Sequence, residues 1–108
     1  MKLPELSTVE YGLVGHPLGH SRSKELFTGW HKTYENFDLA ELTPSTLYTL
    51  VLLNPKLKGF NVTAPYKETV MQFLDSLDAT AEKVGAVNTV RIKRAADGRA
   101  LALDGFNT

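Results

Sequence analysis

The sequence contains no cysteine, which excludes disulfides, thiolate metal sites and cysteine nucleophiles. No apolar run approaches the roughly 20 residues that a membrane-spanning helix needs. Neither sign of charge is in excess, because 12 basic residues balance 12 acidic ones, so no attraction to nucleic acid or to an anionic membrane is expected. The first six residues, Met1 to Leu6, carry one basic residue and lack the apolar core of a secretory signal. These absences favour a cytoplasmic protein.

The chain has 108 residues, of which 43% are hydrophobic and 22% are charged. That length suits one compact domain and is too short for two. We therefore expect residues 1–108 to form a single domain.

Apolar segments of strand and helix type alternate along the chain. The sequence predicts strands at 11–15, 36–39 and 57–62, helices after Ser23, after Thr43, after Thr63 and at 79–84, and a closing hairpin of 87–92 with 101–103. This order is typical of a three-layer α/β/α fold with a mostly parallel sheet and a C-terminal antiparallel hairpin.

Helix starts and ends carry local signals. Thr43-Pro44 and Thr63-Ala64-Pro65 each place a hydroxyl at a cap ahead of a proline in the first turn. Asn54-Pro55 should stop one helix, and Gly85 should end another. The apolar faces predicted for the helices after Ser23 and Thr63 are, respectively, Leu26, Phe27, Trp30 and Tyr34, and Val70, Phe73, Leu74 and Leu77.

Three polar clusters lie next to predicted strands, at 16–23, 61–67 and 85–89. Ligands of open α/β sheets bind outside the carboxyl ends of the strands, so the clusters should meet there. Ser21 and Ser23 could present two hydroxyls to an anion at a helix start, although serine is also an ordinary helix cap.

Thr63 and Lys67 would lie about one helical turn apart. A lysine in a first turn is disfavoured by the helix dipole, which suggests a positional demand, yet most lysines are solvated. Asn88 falls in a predicted strand, where asparagine is depleted, and its amide needs partners in the backbone or in a ligand. Spacing alone leaves these roles open.

Metal and dinucleotide sites are not predicted. His16 and His20 are four residues apart, but Pro17 and Gly19 make a shared helix unfavourable, and no third ligand cluster is present. The glycines after the first strand do not form the G-x-G-x-x-G fingerprint, so no nicotinamide site is expected in this segment.

Four segments together resemble the shikimate dehydrogenase family. The family patterns are G-x-P-x-x-H-S-x-S, N-V-T-x-P-x-K, G-A-V-N-T and G-x-N-T-D. They match, in family order, Gly15 to Ser23, Asn61 to Lys67, Gly85 to Thr89 and Gly105 to Thr108. Each motif is weak by itself, but their common order makes the resemblance specific.

The resemblance implies a substrate-binding domain in which Ser21 and Ser23 hold the carboxylate of shikimate with help from Thr63. It implies that Lys67 is the catalytic lysine and that Asn88 binds ring hydroxyls. The implied reaction is the reversible, NADPH-dependent reduction of 3-dehydroshikimate to shikimate in aromatic amino-acid biosynthesis. NADP would be bound by a C-terminal domain that this sequence lacks.

The sequence departs from the family pattern at three places. Lys24 stands where proline is usual, and Phe27-Thr28 stands where a histidine-asparagine pair is usual. The chain also stops at Thr108, one residue before the expected aspartate of G-x-N-T-D. We therefore expect a fragment of the enzyme that binds substrate but does not catalyse.

Alternative interpretations remain open at this stage. The chain could be a naturally short, non-catalytic binding module for hydroxylated cyclic acids, or part of a quinate-using relative. A folate-type dehydrogenase of similar domain plan would leave the serine loop and the N-V-T-x-P-x-K segment without a purpose. The sequence does not decide between a monomer and a homodimer.

A binding measurement tests the expected division of labour. The 108-residue chain should bind shikimate weakly in a calorimetric titration, because a second domain normally closes the cleft, and it should not bind NADP(H). Tight binding of a nicotinamide cofactor would contradict the assignment to a substrate-binding domain.

Overall fold

A computed structural model describes residues 8–19 and 34–108, and the element labels below count only these residues. In chain order the elements are β1 (Tyr11–Gly15), β2 (Tyr34–Asp38), α1 (Pro44–Leu53), β3 (Gly59–Val62), a 3-10 helix (Thr69–Phe73), β4 (Ser76–Leu77), α2 (Ala79–Val84), β5 (Thr89–Arg94) and β6 (Ala100–Phe106).

The strands form one six-stranded mixed sheet in the order β2-β1-β3-β5-β6-β4. β1 pairs with β2 and β3 in parallel, and β4 pairs with β6 in parallel. β5 runs antiparallel to both β3 and β6. The predicted α/β class, with its parallel strands and C-terminal antiparallel hairpin, is therefore confirmed.

One face of the sheet is apolar because side chains alternate along each strand. Val14 of β1, Phe60 and Val62 of β3, and Val90 and Ile92 of β5 are each no more than 6% exposed. They belong to one buried cluster that also includes Leu47, Leu50, Val51, Leu57, Val70, Ala81 and Val87. The opposite face carries the polar residues of the same strands, among them Asn61 and Thr89, which are direct partners in the β3–β5 register.

Helix α1 begins and ends where the sequence signals predict. Thr43 is the N-cap and accepts a hydrogen bond from the Thr46 N–H at 3.1 Å, and Pro44 occupies the first turn. The helix stops at Leu53, before Asn54-Pro55. The Arg94 guanidinium donates to the Asn54 carbonyl at 3.0 Å. A side chain of β5 thus supplies a donor to a main-chain carbonyl that has no intrahelical partner at the end of the helix.

Helix α2 also matches its prediction. Asp78 caps it by accepting from the Ala81 N–H at 2.8 Å, and Gly85 ends it in the left-handed conformation with φ of 77°. A side chain is strained at that φ, which explains why a glycine follows Val84.

One predicted helix is wrong. It was expected to begin at Thr63 and to bury Val70, Phe73, Leu74 and Leu77. The chain instead makes turns, and its only helical part is the 3-10 stretch Thr69–Phe73, of which Val70 is the buried residue. The Thr63 N–H donates to Val14 at 2.9 Å, and the Lys67 carbonyl accepts from the Val87 N–H at 2.8 Å. The Lys67 carbonyl thus has a tertiary donor in place of the intrahelical N–H that a continuous helix would have supplied.

Several predicted bounds also shift. Tyr34, assigned from its spacing to a helix face, is the first residue of β2, and Asn36–Leu39 is replaced by Tyr34–Asp38. The hairpin strands are Thr89–Arg94 and Ala100–Phe106, so Asn88 lies one residue before β5 rather than inside it. The rest of the helix predicted after Ser23 lies outside the described residues. No helix among the described residues has the length and apolar character needed to cross a membrane.

Leu57 provides a test of the core. Its side chain is 0% exposed, so Leu57→Ala should lower the free energy of unfolding by about 2–5 kcal/mol through lost burial and an unfilled cavity. Leu101, which is 61% exposed, provides the matched control, since Leu101→Ala should have little effect. Urea denaturation of both variants measures the difference, and equal losses would contradict this description of the core.

Candidate functional site

The carboxyl ends of β1 and β3 lie side by side because the two strands are parallel neighbours. Two main-chain hydrogen bonds join the segment after β3 to this end of β1: the Thr63 N–H donates to Val14 of β1 at 2.9 Å, and the His16 N–H, just after β1, donates to Ala64 at 3.1 Å. The described part of the first motif, residues 15–19, and the second motif are therefore held together at one edge of the sheet, as the sequence predicts.

Gly15 is required by this close approach. A Cβ atom added at Gly15 would lie 2.5 Å from the Cγ2 of Thr63 and 2.9 Å from the Cδ2 of Leu18, closer than nonbonded carbon atoms pack. Because the space around Gly15 is already filled, the end of β1 offers no opening in which a backbone could approach a pyrophosphate. The packing at Gly15 therefore does not fit a dinucleotide cradle at the end of β1.

Asp38, at the end of β2, binds the loop that follows β1. One carboxylate oxygen contacts Nδ1 of His16 at 2.5 Å, and the other accepts from the Leu18 N–H at 3.1 Å. The hydrogen bond from His16 and then that from Leu18 hold the pKa of Asp38 below its ordinary value. Asp38 is a residue of the site that sequence reasoning missed; the signal that could have found it is an acidic residue at the end of a strand.

Thr63 and Lys67 both belong to the turns after β3. Thr63 is partly buried, with its methyl group turned towards Gly15, and Lys67 is exposed. In the part of the chain that the structure describes, no hydrogen-bond or ion-pair partner is found for the Lys67 ammonium. Thr63 and Lys67 are not one helical turn apart, because the segment that contains them forms turns. Both residues still lie at the same edge of the sheet.

Asn88 is hydrogen-bonded through every polar group. Its main-chain carbonyl accepts from the Val62 N–H at 2.8 Å, and its main-chain N–H donates to Phe106 at 3.0 Å. Its Nδ2 donates to the Thr108 carbonyl at 3.1 Å, and its Oδ1 accepts from the Thr108 N–H at 3.1 Å. The third and fourth motifs therefore meet at this side chain.

Asn61 extends this arrangement across the polar face of the sheet. Its Nδ2 donates to the Tyr34 hydroxyl at 3.2 Å, and its Oδ1 lies 3.4 Å from the Thr89 hydroxyl. The same hydroxyl lies 3.0 Å from the Oδ1 of Asn88, the better-placed acceptor for its single proton. Asn61 also has no role predicted from sequence, although an asparagine inside a predicted strand is the signal that singles out Asn88.

Ser21 and Ser23, the predicted carboxylate-binding pair, lie outside the described residues, as does His20. Of the five predicted site residues, the structure thus places Thr63, Lys67 and Asn88 along one edge. Among the described residues, no group of three histidine, cysteine or carboxylate side chains could hold a metal ion.

Residues 13–90 match the family described as the shikimate dehydrogenase substrate binding domain. The chain belongs to this family. A relative named shikimate dehydrogenase (NADP(+)), from Oceanobacillus iheyensis, is 39% identical over 107 residues, which cover 94% of the chain and 37% of the relative. The chain thus spans little more than a third of that relative's length.

Solved structures of family members have the same fold. A dehydroquinate dehydratase and shikimate dehydrogenase from S. pombe aligns with 92% of the chain and 19% of its own length, at a TM-score of 0.78 and 34% identity. The shikimate 5-dehydrogenase from Thermus thermophilus, solved in complex with NADP(H) and shikimate, aligns with 92% of the chain and 37% of its own length, at a TM-score of 0.70 and 31% identity.

The Asp38 contacts predict how stability depends on pH. The folded-state pKa of Asp38 is depressed, so its contribution to stability is present above the unfolded value of about 3.9 and is lost as pH falls through the folded value. Asp38→Asn should therefore flatten the fall in the urea midpoint below about pH 5, whereas Glu41→Gln, at an exposed position, should follow the unaltered chain. Identical acid profiles for the Asp38 variant and the unaltered chain would contradict this role.

Proposed function

We propose that this chain is the substrate-binding domain of an NADP-dependent shikimate dehydrogenase, which reversibly reduces 3-dehydroshikimate to shikimate. The observation that carries the proposal is the meeting of the family's motifs at one sheet edge, where Thr63, Lys67 and Asn88 are placed by main-chain hydrogen bonds. A cyclic acid with several hydroxyl groups needs a cation or hydroxyls for its carboxylate and several donors for its ring, and this edge supplies both kinds of group.

Lys67 is assigned the proton-transfer role. Reduction of a ketone places negative charge on its oxygen, which requires a proton donor within hydrogen-bond reach. Lys67 is exposed at the edge, and its ammonium makes no hydrogen bond within the described residues, so it is available to a ligand. Its carbonyl is bonded to the Val87 N–H, which fixes the base of the side chain while the ammonium keeps its reach.

The remaining assignments follow the same division of labour. Thr63 would help Ser21 and Ser23 to hold the substrate carboxylate, and Asn88 would donate to a ring hydroxyl. The hydride is supplied by the nicotinamide cofactor. The chain matches 37% of the length of a relative named shikimate dehydrogenase (NADP(+)), so the cofactor contacts are assigned to the part of the enzyme outside residues 1–108. Residues 1–108 are proposed to form one domain that binds substrate without turning it over.

Three further expectations stay predictions. Aromatic amino-acid biosynthesis is the proposed pathway, and the cytoplasm is the proposed location. A homodimer is the third of these predictions.

Lys67→Ala tests the catalytic assignment. The substitution is made in the enzyme that contains both the substrate-binding domain and an NADP-binding domain. Loss of a positioned proton donor should lower kcat by about 10²–10⁴-fold while KM for shikimate changes far less. Lys56→Ala, which removes another exposed lysine, is the matched control and should leave both constants near their original values.

Steady-state kinetics with shikimate and with quinate would decide the outcome. Unchanged turnover in the Lys67 variant would remove lysine from the proton-transfer role. A higher kcat/KM for quinate than for shikimate would instead reassign the substrate while keeping the fold and the site.

A further inference from the structure

The Asn88 carboxamide pairs with the main chain of Thr108. Its Nδ2 donates to the Thr108 carbonyl and its Oδ1 accepts from the Thr108 N–H, both at 3.1 Å. Two reciprocal hydrogen bonds of this kind are what a residue of a neighbouring antiparallel strand would make. The side chain thus continues, beyond the end of β6, the pairing that the backbone of β5 begins.

Asn107, the residue before Thr108, also makes hydrogen bonds to the segment ahead of β5 and to the cap of α2. Its Nδ2 donates to the Ala86 carbonyl at 3.0 Å, and its main-chain N–H lies 3.3 Å from the Oδ1 of Asp78, the cap of α2. The dipeptide after β6 is therefore attached to residues 86–88 by two side chains, those of Asn88 and Asn107. Those residues are also joined to the Lys67 turn through the Val87 N–H.

The hydrogen-bonding capacity of Asn88 is nearly used up by these contacts. Its Oδ1 has two lone pairs and is approached by the N–H and hydroxyl of Thr108, the latter at 3.3 Å, and by the hydroxyl of Thr89. Its Nδ2 has two hydrogens, of which Thr108 takes one. Within the described residues, only a single N–H of the side chain is left for a ligand.

We propose that Asn88 is a positioning residue, whose carboxamide holds Asn107 and Thr108 against the start of β5 beside the Lys67 turn. Its importance for substrate binding rests on the function proposed above, whereas its hold on Thr108 does not. In this arrangement Asn88 does more than donate a hydrogen bond to the ring of the substrate. It also keeps the G-A-V-N-T and G-x-N-T segments together in the absence of a ligand.

The order of the Thr108 backbone in the ligand-free chain tests the proposal. The ¹⁵N order parameter of Thr108 should be near the rigid value of about 0.85 in the unaltered chain and should fall below about 0.6 in Asn88→Ala. Asn88→Asp at neutral pH should give the same loss, because it keeps the size and the acceptor but turns a negative oxygen towards the main-chain oxygen of Thr108, which belongs to a carboxylate in the 108-residue chain.

Thr89→Val is the matched control. It removes one donor to the Oδ1 of Asn88 but leaves the two-bond pair with Thr108, so Thr108 should stay ordered. The Val62 amide, bonded to the main-chain carbonyl of Asn88, reports whether each variant remains folded. If Asn88→Ala does not fold, the comparison of Asn88→Asp with Thr89→Val carries the same test.

Two results would overturn the proposal: a rigid Thr108 in a folded Asn88→Asp chain, or a flexible Thr108 in the unaltered chain. A calorimetric titration with shikimate is read separately. Absence of shikimate binding to the unaltered chain would count against the proposed function, while the order of Thr108 would still decide the role of Asn88.

Discussion

The parallel pairing of β1 with β3 is the constraint on which the rest of the site depends. It places two carboxyl ends at one edge, and two hydrogen bonds from the ends of these strands, Thr63 to Val14 and His16 to Ala64, continue the pairing past β3. Gly15 lets these segments approach to a distance at which a side chain would collide. Polar residues that are about 50 positions apart in sequence become neighbours for this reason.

The antiparallel strand β5 then adds a second requirement. It enters the sheet next to β3, so the G-A-V-N-T segment ahead of it must cross the same edge. There the main chain of Val87 and Asn88 makes hydrogen bonds with Lys67, Val62 and Phe106. The proposed catalytic lysine and the proposed ligand-binding asparagine are thus connected by backbone contacts, which vary less than contacts between two long side chains.

Polar side chains in this region have structural partners as well as proposed ligands. Asp38 binds the loop after β1, Asn61 binds Tyr34, and Asn88 binds Thr108. Groups that must meet a ligand in a defined geometry need supporting contacts that fix their rotamers. The exposed Lys67 ammonium differs from them, and that difference fits a group whose task is to reach a reacting atom.

The sequence by itself determined the order of β1, β2, α1, β3, α2 and the closing hairpin, the bounds of α1 and α2, and the four motifs that identify the family. Those features depend on local chemistry, such as the Thr43 cap and the left-handed Gly85, or on residue identity alone. Only the tertiary structure decided that Thr63 to Lys67 form turns, because the Val87 N–H takes the Lys67 carbonyl that a helix would use internally. The same is true of Asp38, Asn61 and the pairing of Asn88 with Thr108, whose partners lie 20 or more residues away and leave no periodic signal.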